Sequence, residues 1–335
     1  MDSLINNIAN PINIGIIGAA GYTGGELIRI LINHPNVKIA FAHSKSQAGK
    51  PVYATHTDLL GDTELVFTVN DIQTLLNETD LHAIFLCSGH GESKKFLSEF
   101  SVPDAVKIID LSTDFRNESE GFIYGLPELQ REKIKSATKI ANPGCFATSI
   151  ELAILPLASA GLIQDEIHVS AVTGSTGAGQ ALSPTTHFTW RNNNVSIYKA
   201  FTHQHLTEIN MSVGKLQNGF DQAINFIPYR GDYTRGIMAN VYTTFSGTIE
   251  EAKSLYKDYY ASHPFTHVSD MPVDLKQVVN TNKCLISLEV HDGKLLITSI
   301  IDNLTKGASG QAVQNLNLLF GLSEDAGLRL KAPAF

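Results

Sequence analysis

The chain is poor in the features that would tie it to an oxidising compartment, a polyanion or a bilayer. It has three cysteines, Cys87, Cys145 and Cys284, odd in number and far apart. They make neither a disulfide framework nor a CxxC metal site, so no metal is expected and a reducing, cytoplasmic setting fits. Lys and Arg number 25 against 33 Asp and Glu, a formal net charge of −8, with no basic run. That balance argues against nucleic acid and anionic membrane as partners. The opening Met1-Asp2-Ser3-Leu4-Ile5-Asn6-Asn7 has no basic n-region and no long apolar h-region, so no signal peptide is expected. The apolar run from Ile150 to Ile163 is broken by Glu151, Pro156 and Ser159 and is too short to span a bilayer. No internal repeat or low-complexity segment is present. What remains is a chain of 335 residues, 43% hydrophobic and 17% charged, with the composition of a globular protein. Its length suggests two domains.

The stretch Asn142-Pro143-Gly144-Cys145-Phe146-Ala147-Thr148 reads as a tight turn that delivers a cysteine to the start of a helix. Pro143 fixes its own backbone angle and Gly144 permits a bend. A thiol at that position faces the N–H groups and positive dipole end of the helix, which favours thiolate and a pKa below that of a free thiol. The competing reading is a small packed cysteine. Cys87, inside the apolar run Ala83–Cys87, and Cys284, in a strand-like run, read as packed residues.

Residues 12–18 read as a buried strand, followed by a glycine turn, a helix from Glu26 to Asn33 and a second strand from Val37 to Ala42. This is the opening of a dinucleotide-binding fold, with glycines at 18, 21 and 24 in place of the usual GxGxxG. Small residues there let the backbone approach a pyrophosphate, and the helix N-terminus supplies donors. An NAD site places an acid at the end of the second strand. Here the stretch His43-Ser44-Lys45-Ser46-Gln47-Ala48-Gly49-Lys50 has no acid; its hydroxyls and two lysines suit a 2′-phosphate, so NADP(H) is the expected cofactor, the competing reading being a solvated polar loop.

Further strands are expected at Leu65–Val69, Ala83–Cys87, Val106–Leu111 and Lys139–Ala141, with helices between. Arg116, in Ser112-Thr113-Asp114-Phe115-Arg116, is either half of a surface ion pair with Asp114 or a fork for a substrate anion. Gly174–Gly179 is either a phosphate nest or a flexible connector. Trp190–Ser196 reads as a loop. His203-Gln204-His205 offers two imidazoles with no third metal ligand at a telling spacing, and a Cys/His pair with Cys145 is the alternative. Strands at Met238–Phe245, Cys284–Val290 and Leu295–Ile301 (the last two joined at Asp292-Gly293) and a closing helix to Phe320 complete a mixed α/β region.

Together these motifs resemble the N-acetyl-gamma-glutamyl-phosphate reductases, which belong with the aspartate-semialdehyde dehydrogenases. The matching stretches are Gly18–Gly25, Leu111–Arg116, Tyr124–Glu128, Asn142–Cys145, Gly174–Gly179, His203-x-His205-x-x-Glu208-Ile209, and Asp302–Gly307 with Gln311. They occur in family order over nearly the whole chain. The resemblance implies a Rossmann-type doubly wound parallel sheet, residues 1–144 plus about 308–335, which binds NADP. It also implies a catalytic and oligomerisation domain with a mixed sheet, 145–307. It makes Cys145 the nucleophile and His203 the acid/base. Gly18, Gly21, Tyr22, Thr23, Gly24, Ser44, Lys45 and Ser46 fall to the cofactor, and Arg116, Asn142, His205 and Arg235 to the substrate. Partners are an acyl phosphate and inorganic phosphate, in a homodimer or homotetramer. The chain departs from the family at Gln204, usually basic, and at Gly89, often proline. It is also longer around Pro228–Gly236, where Arg230 and Arg235 compete for one role and Arg235 is preferred because Gly236-Ile237 follows it. A sister enzyme acting on aspartyl or aminoadipyl phosphate, a non-catalytic NADP sensor and a hydrolase are the rival readings.

Overall fold

The computed structural model describes residues 11–78 and 80–333. The expectation about a leader at Met1–Asn7 lies outside them. Two compact units divide the described residues: those up to Gly125, Glu132–Asn142 and Ala312–Arg329 form the first, and Leu126–Arg131, Pro143–Gln311 and residues 330–333 the second.

The first unit opens with β1 (Ile12–Ile17), α1 (Tyr22–Leu31) and β2 (Val37–His43), followed by α2 (Ile72–Leu76), β3 (Leu81–Leu86), α3 (Glu92–Glu99), β4 (Lys107–Asp110) and β5 (Ile123–Tyr124). The chain continues into α4 (Pro127–Lys135), broken at Gln130, and then β6 (Lys139–Ala141). The six strands run parallel in the order β2-β1-β3-β4-β6-β5. The apolar runs read from the sequence fill both faces, as a parallel sheet requires. Chain order reverses between β1 and β3, where doubly wound sheets bind ligands at their carboxyl ends.

Two expectations change. First, α1 starts at Tyr22, not Glu26, because Gly24 lies inside its first turn: a Cβ there would meet the Ala19 backbone at 2.6 Å. Second, Leu65–Val69 is not a strand. Only single bridges form, Phe67 with Ala42 and Val66 with Pro51. Phe67 is fully buried while Val66 and Val69 are exposed, so one side chain anchors the segment and nothing extends the ladder.

In the second unit come α5 (Cys145–Ser159), β7 (Ile167–Thr173), α6 (Phe188–Arg191), β8 (Ser196–Ile197), α7 (His205–Leu216), β9 (Ile224–Arg230) and β10 (Ile237–Thr244). They are followed by α8 (Ile249–Tyr260), β11 (Thr266–Val268), β12 (Cys284–His291) and β13 (Lys294–Ile301). The last helix, α9 (Gly310–Leu319), contributes to the first unit from Ala312 onward. The seven-stranded mixed sheet has the order β11-β12-β13-β10-β7-β9-β8. The segment expected as a loop, Trp190–Ser196, starts in α6 and ends in β8. Buried Arg191 ties it down by donating to the carbonyls of Thr185, Asn194 and Arg230. β9 escapes sequence pattern because Pro228 interrupts it; the proline is tolerated beside an edge strand only two residues long.

The central element of this unit is α5, buried on nearly every face from Phe146 to Ala158. Pro156 lies inside it and cannot donate to Leu152. That carbonyl instead accepts the Tyr260 hydroxyl at 2.6 Å, and the next one, Ala153, accepts the Tyr256 hydroxyl at 2.6 Å. Two tyrosines of α8 thus satisfy the backbone that the proline disturbs.

Candidate active site

Cys145 is the first residue of α5, and Gly144 before it is extended, with φ −72 and ψ 150. No side chain caps that helix end and its first turn carries no acid. The turn is fixed from α7, where the buried Glu208 carboxylate accepts the Gly144 N–H at 2.8 Å. Gly307 closes in from a π-turn spanning Thr305–Ser309; a Cβ on it would come within 2.8 Å of the Cys145 Cβ. Cys145 itself is partly exposed, whereas Cys284 is buried. Burial pushes the Cys284 thiol up to about 12 and raises that of Cys87 further. Of the three thiols, Cys145 alone occupies a helix start.

The residue after the cysteine, Phe146, meets the His203 ring edge-to-face at 5.5 Å, and His205 stands 4.5 Å from His203. The two histidines lie at the head of α7, not along a strand. The chain reaches them through a strained segment: Lys199 and Phe201 both have positive φ, 45 and 59. Tyr198 and Phe201 hang that segment on β9 by donating to the carbonyls of Pro228 and Phe226. His203 is buried, and burial together with the Lys199 and Arg230 charges holds its pKa down at about 4. It is therefore neutral near pH 7. Its Nδ1 accepts the His205 N–H at 3.3 Å, which leaves the ring proton on Nε2.

Tyr198, which carried no assignment in the sequence, and Arg230, the arginine passed over in favour of Arg235, join this group. Tyr198 lies close enough to Cys145 for the thiolate to raise its pKa, after burial the second cause of a shift to about 12. The Arg230 guanidinium stacks over the Tyr198 ring at 4.6 Å, and its buried Nε has no hydrogen-bond partner among the described residues. A tyrosine next to a lysine has no spacing that announces it.

Arg235 is placed differently. Its fork grips buried Asp302 through Nε at 2.9 Å and Nη2 at 3.1 Å, and Nη2 also reaches Thr305. Arg116, buried in the first unit, donates to the backbone carbonyls of Asn142 and Leu111. Asp114 does not pair with it in a surface bridge; its carboxylate caps α3 through the N–H groups of Gly91 and Lys94. Asn142 is buried, with its side-chain oxygen on Asn315. The loop Gly174–Gly179 is no open nest. Ser175, Thr176, Gly177 and Gly179 donate to Tyr233, Thr234, Gly174 and Thr176 respectively. Among the described residues no group of three His, Cys, Asp or Glu is arranged to hold a metal, and no helix is long and apolar enough to cross a membrane.

In the first unit the glycine turn has the shape a dinucleotide needs. Gly18 has φ +80, and a Cβ there would meet the carbonyl carbon of Cys87 at 2.9 Å, where β1 and β3 diverge. Helix geometry leaves first-turn N–H groups without acceptors in the helix. In α1 no side chain caps them and no acid occupies the first turn. Gly18 and Ala19 both donate to the His43 carbonyl, which brings Ser44, Lys45 and Ser46 beside the turn. Ser44 is buried and Lys45 exposed. A pyrophosphate and a 2′-phosphate both fit these groups.

A parallel sheet with an uncapped glycine turn, and a helix-borne cysteine grouped with a histidine, define an oxidoreductase of the semialdehyde dehydrogenase type. Family models agree: the semialdehyde dehydrogenase NAD binding domain matches residues 13–137 and the dimerisation domain matches 145–303. Among solved structures, aspartate semialdehyde dehydrogenase II of Vibrio cholerae, complexed with ASA, shares the fold with a TM-score of 0.73 at 18% identity, covering 93% of this chain and 99% of that one. The Candida albicans aspartate semialdehyde dehydrogenase with NADP does so with a TM-score of 0.66 at 13% identity, over 92% and 98%. The N-acetyl-gamma-glutamyl-phosphate reductase of Christiangramia forsetii is 58% identical over 97% of this chain and 100% of its own length. That of Parabacteroides distasonis is 55% identical over the same shares. The chain belongs to the N-acetyl-gamma-glutamyl-phosphate reductase family.

Proposed function

We propose that this chain catalyses the NADPH-dependent reductive dephosphorylation of N-acetyl-L-glutamyl 5-phosphate to N-acetyl-L-glutamate 5-semialdehyde, a step of arginine biosynthesis, through a thioester on Cys145. The observation that carries the chemistry is the placement of Cys145 at the uncapped start of α5 beside the His203–Phe146 contact. The substrate follows from the full-length identity to reductases of that name.

The Cys145 sulfur attacks the acyl carbon; the C–S bond forms, the C–O bond to phosphorus breaks, and inorganic phosphate leaves. A thiolate suits both halves of this exchange because it attacks well and departs well. Gly18, Gly21, Tyr22, Thr23, Gly24 and the Ser44–Ser46 segment would hold NADPH, which when bound would supply the hydride needed to reduce the thioester. The resulting tetrahedral oxyanion needs a donor, and then collapses with loss of the Cys145 thiolate and release of the aldehyde. His203, neutral with its proton on Nε2, serves as that hydrogen-bond donor; its low pKa makes it a poor base for the thiol. Arg230 takes the substrate anion, a role its stacked, half-satisfied fork supports better than the paired Arg235 or the backbone-bound Arg116. Arg116 and Asn142 act through the backbone before Cys145, and His205 orients His203. The first unit, expected from the sequence as residues 1–144 plus about 308–335, serves as the NADP domain, and the second, expected as 145–307, as the catalytic and oligomerisation domain. The match to a dimerisation domain supports a homodimer or homotetramer, and the three free cysteines support the cytoplasm.

The test runs the reaction backwards. Wild-type protein reduces NADP with N-acetylglutamate semialdehyde only when phosphate is present, and Cys145→Ala loses about 10⁴-fold or more. Activity with aspartate semialdehyde but not with its N-acetylglutamate counterpart moves the substrate and keeps the chemistry. Activity without phosphate, or surviving in Cys145→Ala, refutes the thioester.

A further inference from the structure

We infer that His56 is a positioning residue for the dinucleotide: it clamps the pyrophosphate turn to the segment that follows β2, and so sets cofactor affinity from outside the turn. The inference rests on the reading of the first unit as the NADP site.

His56 is buried and lies between two short helical turns, Val52–Ala54 and Thr57–Leu59. Its Nε2 donates to the Ala19 carbonyl at 2.8 Å. That carbonyl is the middle of the glycine turn, 37 residues away in sequence. An independent observation comes from the other side of the ring. A Cβ on Gly25 would overlap the His56 imidazole at Nδ1, Cε1 and Cγ, so the absence of a side chain at 25 is what gives the ring its place. Gly24, one residue earlier, presses on Ala19 itself. The first turn of α1 therefore carries two adjacent glycines with different tasks: one admits the turn's backbone and the other admits the imidazole that holds that backbone.

The opposite side of the turn is held as well. Gly18 and Ala19 donate to the carbonyl of His43, at the end of β2. The Ala19 peptide is thus gripped through its N–H by β2 and through its carbonyl by His56. Phe67, fully buried and bridged to Ala42, meets the His56 ring edge-on at 6.3 Å and limits its rotation. Every one of these residues belongs to the first unit. Anion binding at a helix start depends on where the N–H groups point, and loss of the His56 clamp frees the turn to move away from that geometry. The expected signature is a change in dinucleotide affinity with no change in turnover once dinucleotide saturates, since His56 reaches no reacting atom.

The experiment titrates NADPH against full-length protein by its fluorescence, with steady-state kinetics in parallel. His56→Ala is expected to raise the NADPH Kd and KM about tenfold, with kcat and the acyl phosphate KM unmoved. His56→Gln, whose amide nitrogen reaches the place of Nε2, is expected to restore most of the affinity. Gly25→Ala is expected to weaken NADPH binding in the wild-type background and far less in the His56→Ala background, where the ring is gone. Wild type that fails to bind NADPH overturns both this inference and the cofactor reading beneath it. Wild type that binds, with His56→Ala binding equally well, overturns the inference alone. Should His56→Ala fail to fold, Gly25→Ala read beside His56→Gln decides: weaker NADPH binding in Gly25→Ala with near-native binding in His56→Gln supports the clamp, and unchanged binding in Gly25→Ala overturns it.

Discussion

Two arginines of the second unit, Arg230 and Arg235, stand five residues apart and lead opposite lives. Arg235 is spent: its fork closes on Asp302, which also accepts the N–H groups of Asn280, Leu304 and Thr305. Asn303, next in sequence, accepts the Gly236 N–H and donates to Thr176. This cluster is closed on itself, and it fixes the 174–179 loop and the π-turn that approaches Cys145. Arg230 is stacked on Tyr198, leaves a buried N–H without a partner among the described residues, and depresses the pKa of His203. Polar groups paired in full make scaffold, and groups held in place but left with capacity make a site.

That contrast predicts which quantity each residue controls. His203→Ala is expected to cut kcat by about 300-fold with little change in unfolding free energy, whereas His203→Gln, which keeps a donor near Nε2, loses far less. The wild-type ring titrates near 4 when folded and near 6.5 when unfolded, so between those values the unfolded chain binds more protons. Stability is then full above about pH 6.5 and falls as pH drops toward 4. Denaturant midpoints against pH should show this slope in wild type and lose much of it in His203→Gln; an unchanged slope would mean that His203 does not titrate this way. Arg235→Leu leaves Asp302 buried with only backbone donors and is expected to cost about 3 kcal/mol of stability, read from denaturant unfolding, with kcat of the folded fraction preserved. Arg230→Leu is expected to lower kcat/KM about fiftyfold with stability nearly unmoved. An Arg230 variant that unfolds, or an Arg235 variant that folds normally but loses substrate affinity, would reverse the assignment.

Much of this was legible in the residues. Apolar runs ending in glycine turns marked β1, β3 and the parallel sheet, and the Pro-Gly turn before a helix-friendly run placed Cys145 at the start of α5. Sequence could not say which hydrogen bonds the polar loops would make. Gly18–Gly25 and Gly174–Gly179 share a small-residue composition, yet in the second the backbone donors are consumed by Tyr233, Thr234 and the loop itself. Choosing between Arg230 and Arg235 by the glycine that follows failed to register Asp302, which lies 67 residues away from Arg235. Tyr198 and His56 were equally silent, because each acts through a contact made only in the fold.

The most direct measurement of the central claim is mass spectrometry of the protein after mixing with N-acetylglutamyl phosphate in the absence of NADPH. The account predicts an N-acetylglutamyl group on the peptide carrying Cys145, released by hydroxylamine and absent from Cys145→Ala. Turnover by a wild-type protein that never carries this group, or that carries it on Cys87 or Cys284, would contradict it.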